Sequence, residues 1–184
     1  MRPLTIAAFF IGFVAHAQDG PIRLRLDATD APRRLFHAQM TMPVNPGPLT
    51  LEYPQWIPGE HGPTGPVTDL VNLKITGGGN AIPWSRDGVD MFGFHITVPP
   101  GATTLDIVFD FISAPESSGF SSGGSATTEL AVLNWNQVLL YPQGVPSEQL
   151  HYQPIFASRP PGVMERRCRS RTNPGMKLSF NRRL

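Results

Sequence analysis

Proline and glycine interrupt this chain so often that no segment can become a long helix, and the stretches between them alternate in polarity. The two residue types supply 38 of 184 positions, about a fifth of the chain, against about 12% in an average protein. In Ile22-Arg23-Leu24-Arg25-Leu26 an apolar side chain falls at every second residue. That spacing buries one face of a strand and leaves the arginines on the other. Leu35 to Met42, Leu49 to Tyr53, Leu70 to Ile75, Met91 to Val98, Leu105 to Ile112 and Leu130 to Leu140 read as further strands, each alternating or rich in β-branched and aromatic residues. No segment carries a capped helical period over ten or more residues. The pattern predicts an all-β, mainly antiparallel β-sandwich of about seven or more strands over residues 18–154, with an irregular basic tail over 155–184.

The punctuation agrees with that reading. Asn45-Pro46-Gly47-Pro48, Gly77-Gly78-Gly79-Asn80 and Pro99-Pro100-Gly101 stand where consecutive antiparallel strands need tight returns. Residues 117–128, low in complexity and rich in Ser and Gly, read as a flexible loop.

Both ends differ from the body. Met1-Arg2-Pro3, the apolar run Leu4 to Val14 and Ala15-His16-Ala17 have the parts of a secretory signal peptide over residues 1–17, cleaved after Ala17. The run is short of the about 20 residues that a spanning helix needs. The mature chain is therefore expected to be periplasmic or secreted, with no membrane segment. Residues 159–184 hold eight Lys/Arg against Glu165 alone, leaving the rest with 7 basic and 13 acidic residues, a net −6. A basic arm can mark a nucleic-acid binder, but here it extends no basic surface and Phe180 is its lone stacking ring. No nucleic-acid partner is expected. The single cysteine, Cys168, excludes an internal disulfide and any multi-thiolate metal site.

The most unusual segment runs from Tyr53 to Pro66. Its prolines and glycines keep it out of a central strand, so Trp56, Gly59, Glu60 and His61 sit on a stiff loop. Glu60 and His61 could touch a ligand or a neighbouring domain with Trp56 as an apolar wall; equally, Trp56 could anchor the loop to the core with the polar pair solvated. Asn134-Trp135-Asn136, read as part of the last strand, could grip a sugar or peptide, although alternation alone accounts for its pattern. The histidines are scattered, and no His-Glu-x-x-His occurs. Gly-x-Ser-x-Gly is also absent. The residues therefore nominate no catalytic group and no metal ligand.

From Trp56 through Leu70 the chain resembles the Trp-x-Pro-Gly signature in the N-terminal domain of the glycyl aminopeptidase family of metallopeptidases (peptidase family M sixty-one). The likeness continues through Trp84 to Met91, Phe94-His95, Ser121 to Thr127 and Leu133 to Asn136. The resemblance implies a β domain that precedes a catalytic domain carrying the zinc motif, so that zinc is a cofactor of that missing part alone. It further implies a non-catalytic substrate-side or docking role in a truncated fragment of a secreted zinc aminopeptidase, with a peptide or the missing catalytic domain as partner. Trp56, Gly59, Glu60, His61, Asn134 and Trp135 are the expected contacts. A reading from a different class is a free-standing secreted β-sandwich module binding a peptide or glycan.

The resemblance also bears on the tail. If each true codon joins the third base of one residue to the first two of the next, Met164-Glu165 forces a glycine and Met176-Lys177 a glutamate. The neighbouring residues then permit Trp-Arg-Tyr-Gly-Thr-Ala, similar to the family's continuation. Residues from about Ile155 onward are accordingly expected to be a frameshifted, poorly packed reading.

Overall fold

The computed structural model describes residues 20–57, 61–113, 125–127, 130–157 and 176–177. Alternating burial appears where the sequence alternates. β1 (Ile22–Asp27) buries Ile22, Leu24 and Leu26, and β2 (Leu35–Pro43) buries Phe36, Ala38, Met40 and Met42. β3 (Gly47–Glu52) and β4 (Leu70–Gly77) follow, then the two-residue β5 (Asn80–Ala81) and β6 (Ser85–Arg86). β7 (Gly93–Val98) buries Phe94, Ile96 and Val98. β8 (Thr104–Ile112) buries Leu105, Ile107, Phe109 and Phe111. β9 (Ser125–Ala126), β10 (Ala131–Val132), β11 (Tyr141–Pro142), β12 (His151–Ala157) and β13 (Met176–Lys177) complete the chain.

These strands form a seven-stranded sheet, β13-β12-β1-β2-β8-β4-β5, a four-stranded sheet, β11-β3-β7-β6, and a small β9–β10 ladder. Their apolar faces share one core. The fold is all-β, and among the described residues every pairing is antiparallel except one: β12 runs parallel to β1, from Ile22 opposite Tyr152 to Asp27 opposite Ala157. The boundary expected at residue 154 thus falls inside a strand, and the sheet continues to Ala157. The expected loop over 117–128 contributes Ser125–Ala126 to β9; most of its other residues, like the leader 1–17 and most of the tail, lie outside the described residues. Among the described residues no helix is long and apolar enough to cross a membrane.

One expected strand is not there. Between Leu130 and Leu140 only Ala131–Val132 is extended in a ladder; Trp135–Gln137 is a 3₁₀ turn. Asn134 caps it, its side chain taking the Gln137 amide while the Gln137 side chain takes the Asn134 amide at 2.9 Å. This reciprocal cap stops an extended run. Val138, Leu139 and Leu140 that follow are all fully buried, so the segment is a core plug with no solvent face.

A plug without strand partners leaves carbonyls that need donors. Two buried phenols supply them: Tyr53 donates to the Gln137 carbonyl and Tyr152 to the Leu140 carbonyl, both at 2.9 Å. Burial pushes the Tyr53 hydroxyl well above its ordinary pKa, with the Asp69 charge adding to it, and burial likewise raises Tyr152. Both stay protonated and both remain donors.

A candidate peptide-contact pocket beside the Trp56 loop

β3 ends at Glu52, and the chain leaves the small sheet through Tyr53-Pro54-Gln55-Trp56. The departing backbone is pinned twice, by Tyr53 N–H to the Phe92 carbonyl and by Gly65 N–H to the Gln55 carbonyl, both at 3.0 Å. Gly65 has no room for a side chain: a Cβ there would overlap the Pro54 carbonyl oxygen. Glycine at this position is what lets the two limbs of the loop lie against each other.

The segment that follows the core plug makes the facing wall. β11 pairs Tyr141 with Glu52 and Pro142 with Leu51. Gly144, at φ +84, reverses the chain, and a 3₁₀ turn over Ser147–Gln149 leads to Leu150. The turn is fastened to β3 by Gln143 N–H to the Thr50 carbonyl at 2.8 Å and by Gln143 Nε2 to Glu52 Oε1 at 2.7 Å.

A third wall comes from the β6–β7 connection. There the Asp87 carboxylate accepts the Val89 and Asp90 amides at 2.7 and 2.8 Å, and Asp90 accepts the Phe92 amide at 3.1 Å. These bonds, led by those from Asp90 and Val89 with His95 adding to them, hold Asp87 down to about 2.

The three walls enclose a cavity of about 550 Å³. Trp56, Phe92, Tyr141, Val145 and Pro146 supply apolar surface, while Glu52, Asp90 and Glu148 supply carboxylates; among the described residues no Lys, Arg or His lines it. Its size is that of a small-ligand or peptide side-chain site. Trp56 itself is half-buried and stands outside the shared core.

Of the nominated residues that are described, Trp56 alone lines this cavity. His61 is exposed on the loop, and Gly59 and Glu60 lie outside the described residues. Asn134 and Trp135 belong to the capped turn, where Trp135 packs against the core, and neither lines the cavity. Placing Asn134 and Trp135 on an alternating strand is corrected by that cap: Asn134 spends its side chain on its own turn. The carboxylates were missed because Glu52, Asp90 and Glu148 come from three distant segments. Nothing local in the sequence joins them.

Two histidines are bound into the sheets. His37 Nδ1 lies 2.7 Å from Asp110 Oδ1 and its Nε2 lies 3.2 Å from Asp30 Oδ2, while Asn72 donates to the other Asp110 oxygen at 3.0 Å. With an acceptor at each ring nitrogen, only the imidazolium satisfies both. The Asp110 hydrogen bond raises His37 above its ordinary value; burial opposes this, and Asp30 adds to the rise. His95 places Nε2 2.8 Å from Asp87 Oδ2 and Nδ1 3.0 Å from the Thr50 hydroxyl. Zinc does not fit what is described: among the described residues no three His, Cys, Asp or Glu side chains converge, whereas a catalytic zinc takes about three protein ligands.

Comparison with known proteins follows this geometry. Residues 23–162 match the family model described as the Peptidase M61 N-terminal domain. Among solved structures, an aminopeptidase N family protein from Idiomarina loihiensis superposes with a TM-score of 0.61 at 14% identity, over 76% of this chain and 22% of that one. An M1 zinc metallopeptidase from Deinococcus radiodurans gives a TM-score of 0.39 at 11% identity, over 75% of this chain and 31% of that one. This chain thus spans less than a third of either neighbour's length. No curated protein sequence matches it. The family match covers well over half of the chain, and the chain belongs to the family of the peptidase M61 N-terminal domain.

Proposed function

We propose that this chain is the non-catalytic, substrate-side domain of a secreted zinc aminopeptidase, and that it offers the cavity beside Trp56 to a peptide. The cavity carries the reading. It is the concave surface at which the Trp56 loop, the β6–β7 connection and the turn after β11 meet, and it combines aromatic and aliphatic surface with polar groups, three carboxylates among them, that could orient a ligand. Zinc and the water it activates belong, on this reading, to a separate catalytic domain.

The purified chain lacking residues 1–17 tests this directly. Assayed on aminoacyl substrates with and without chelator, it should show no turnover and hold no stoichiometric zinc. Chelator-sensitive cleavage by the pure chain would overturn the proposal. Secretion to the periplasm or medium is checked by the mature N-terminus, expected at Gln18.

The sequence from about Ile155 onward is assigned in the same proposal to a shifted reading frame. Resequencing the gene decides that point. Early stops in the shifted frame, or no downstream His-Glu-x-x-His, would remove it.

A further inference from the structure

From the lining of the cavity we infer its selectivity: the site takes a basic side chain, lysine or arginine, of a peptide supplied from outside the chain. The inference rests on the proposed peptide-contact role and goes on to name the substrate class. Three observations converge on it.

Charge comes first. Among the described residues Glu52, Asp90 and Glu148 line the cavity and no basic residue does, so a cationic occupant meets opposite charge on these walls. Their present partners are uncharged: the Gln143 amide at Glu52, the Phe92 backbone amide at Asp90 and the Ser147 hydroxyl at Glu148. A carboxylate has about four lone-pair sites, so each keeps acceptor capacity.

The walls supply the second observation. Trp56, Phe92 and Tyr141 give the cavity aromatic surface, suited both to the alkyl stem of a long basic side chain and to its charged head. An acidic side chain would lose on both counts, and an aliphatic one would leave the carboxylates without a counter-charge.

Rigidity is the third. The backbone that carries the carboxylates is set before any ligand arrives, since Glu52 is in a paired strand, Asp90 in a loop clamped by Asp87, and Glu148 in a 3₁₀ turn. A site ordered in advance loses less on binding.

The test uses the chain without residues 1–17 and capped pentapeptides, which have no terminal charge, identical except for a central lysine, arginine, norleucine or glutamate. Binding is read by calorimetry and by tryptophan fluorescence, with Trp56→Phe to assign the signal. The lysine and arginine peptides should bind at least tenfold more tightly than the norleucine peptide, and the preference should shrink as salt is raised. Glu148→Gln combined with Asp90→Asn should reduce that preference several-fold while leaving the melting curve in place.

Equal affinity for lysine, norleucine and glutamate peptides would overturn the inference and leave the peptide-contact role standing. No binding of any peptide would sink both. The chain's own Arg166, Arg167, Arg169 and Arg171 are the rival occupant. If peptides bind only after these four are changed to glutamine, the pocket belongs to the chain's own tail and the external peptide is excluded.

Discussion

The Tyr53 hydroxyl reaches across the core to the carbonyl of Gln137, 84 residues later in the chain, at 2.9 Å. That bond joins the start of the Trp56 loop to the turn ahead of the buried plug, so one phenol fixes a wall of the pocket and the middle of the core together.

Tyr53→Phe should therefore destabilise the fold by about 1–3 kcal/mol, the cost of leaving a buried carbonyl without its donor. Tyr152→Phe should do the same through Leu140. Urea unfolding of the two single variants and the double variant checks this; losses within about 0.5 kcal/mol would show that water replaces the phenols.

Gly65→Ala should cost about 1–3 kcal/mol or more, because the added methyl meets the rigid Pro54 carbonyl. Gly88 has open space around the same position, so Gly88→Ala should stay within about 0.5 kcal/mol. Matched melting curves for the two would show that the loop can shift to make room.

Trp56→Ala should be mild for stability and severe for the pocket. The indole is half-buried and outside the core, so its loss should cost less than Phe94→Ala, whose ring is fully buried and whose removal costs about 3–5 kcal/mol. Paired denaturation curves and a peptide titration separate the two effects.

The pH dependence has two arms of opposite sign. His37 is raised in the fold, so its contribution is fully present below the unfolded value of about 6.5 and disappears as pH climbs through the folded value. Asp87 is lowered to about 2; its contribution is present above the unfolded value of about 3.9 and lost as pH falls toward 2. His37→Gln should flatten the alkaline arm of a stability profile measured from pH 5 to 9. Asp87→Asn should flatten the acid arm between pH 5 and 2.

The long strands were legible because period-two burial leaves a local mark. Leu24 and Met40 each sit between polar neighbours, and each is buried. The plug was not legible that way. Val138-Leu139-Leu140 is apolar without alternation, and its backbone is satisfied by tyrosines far off in sequence; the usable signal was Asn134 followed three residues later by Gln137. β12 was missed because Tyr152 is its one fully buried side chain while Ile155 and Phe156 lie half exposed, which breaks the alternation. Trp56 could be nominated from its stiff loop, but its acidic companions become neighbours only when three connections meet.

The parallel pairing of β12 with β1 has a consequence for how the protein is made. Ile22 waits for Tyr152, 130 residues later, so a chain emerging N-terminus first holds β1 with one hydrogen-bonding edge bare until β12 has been made. Closing so distant a contact is slow, and a bare apolar edge is a template for pairing with other chains. Arg23 and Arg25 on the outer face of β1 put like charge on any two copies that approach there. The same two arginines that mark the first strand in the sequence are thus placed to keep nascent chains apart until β12 arrives.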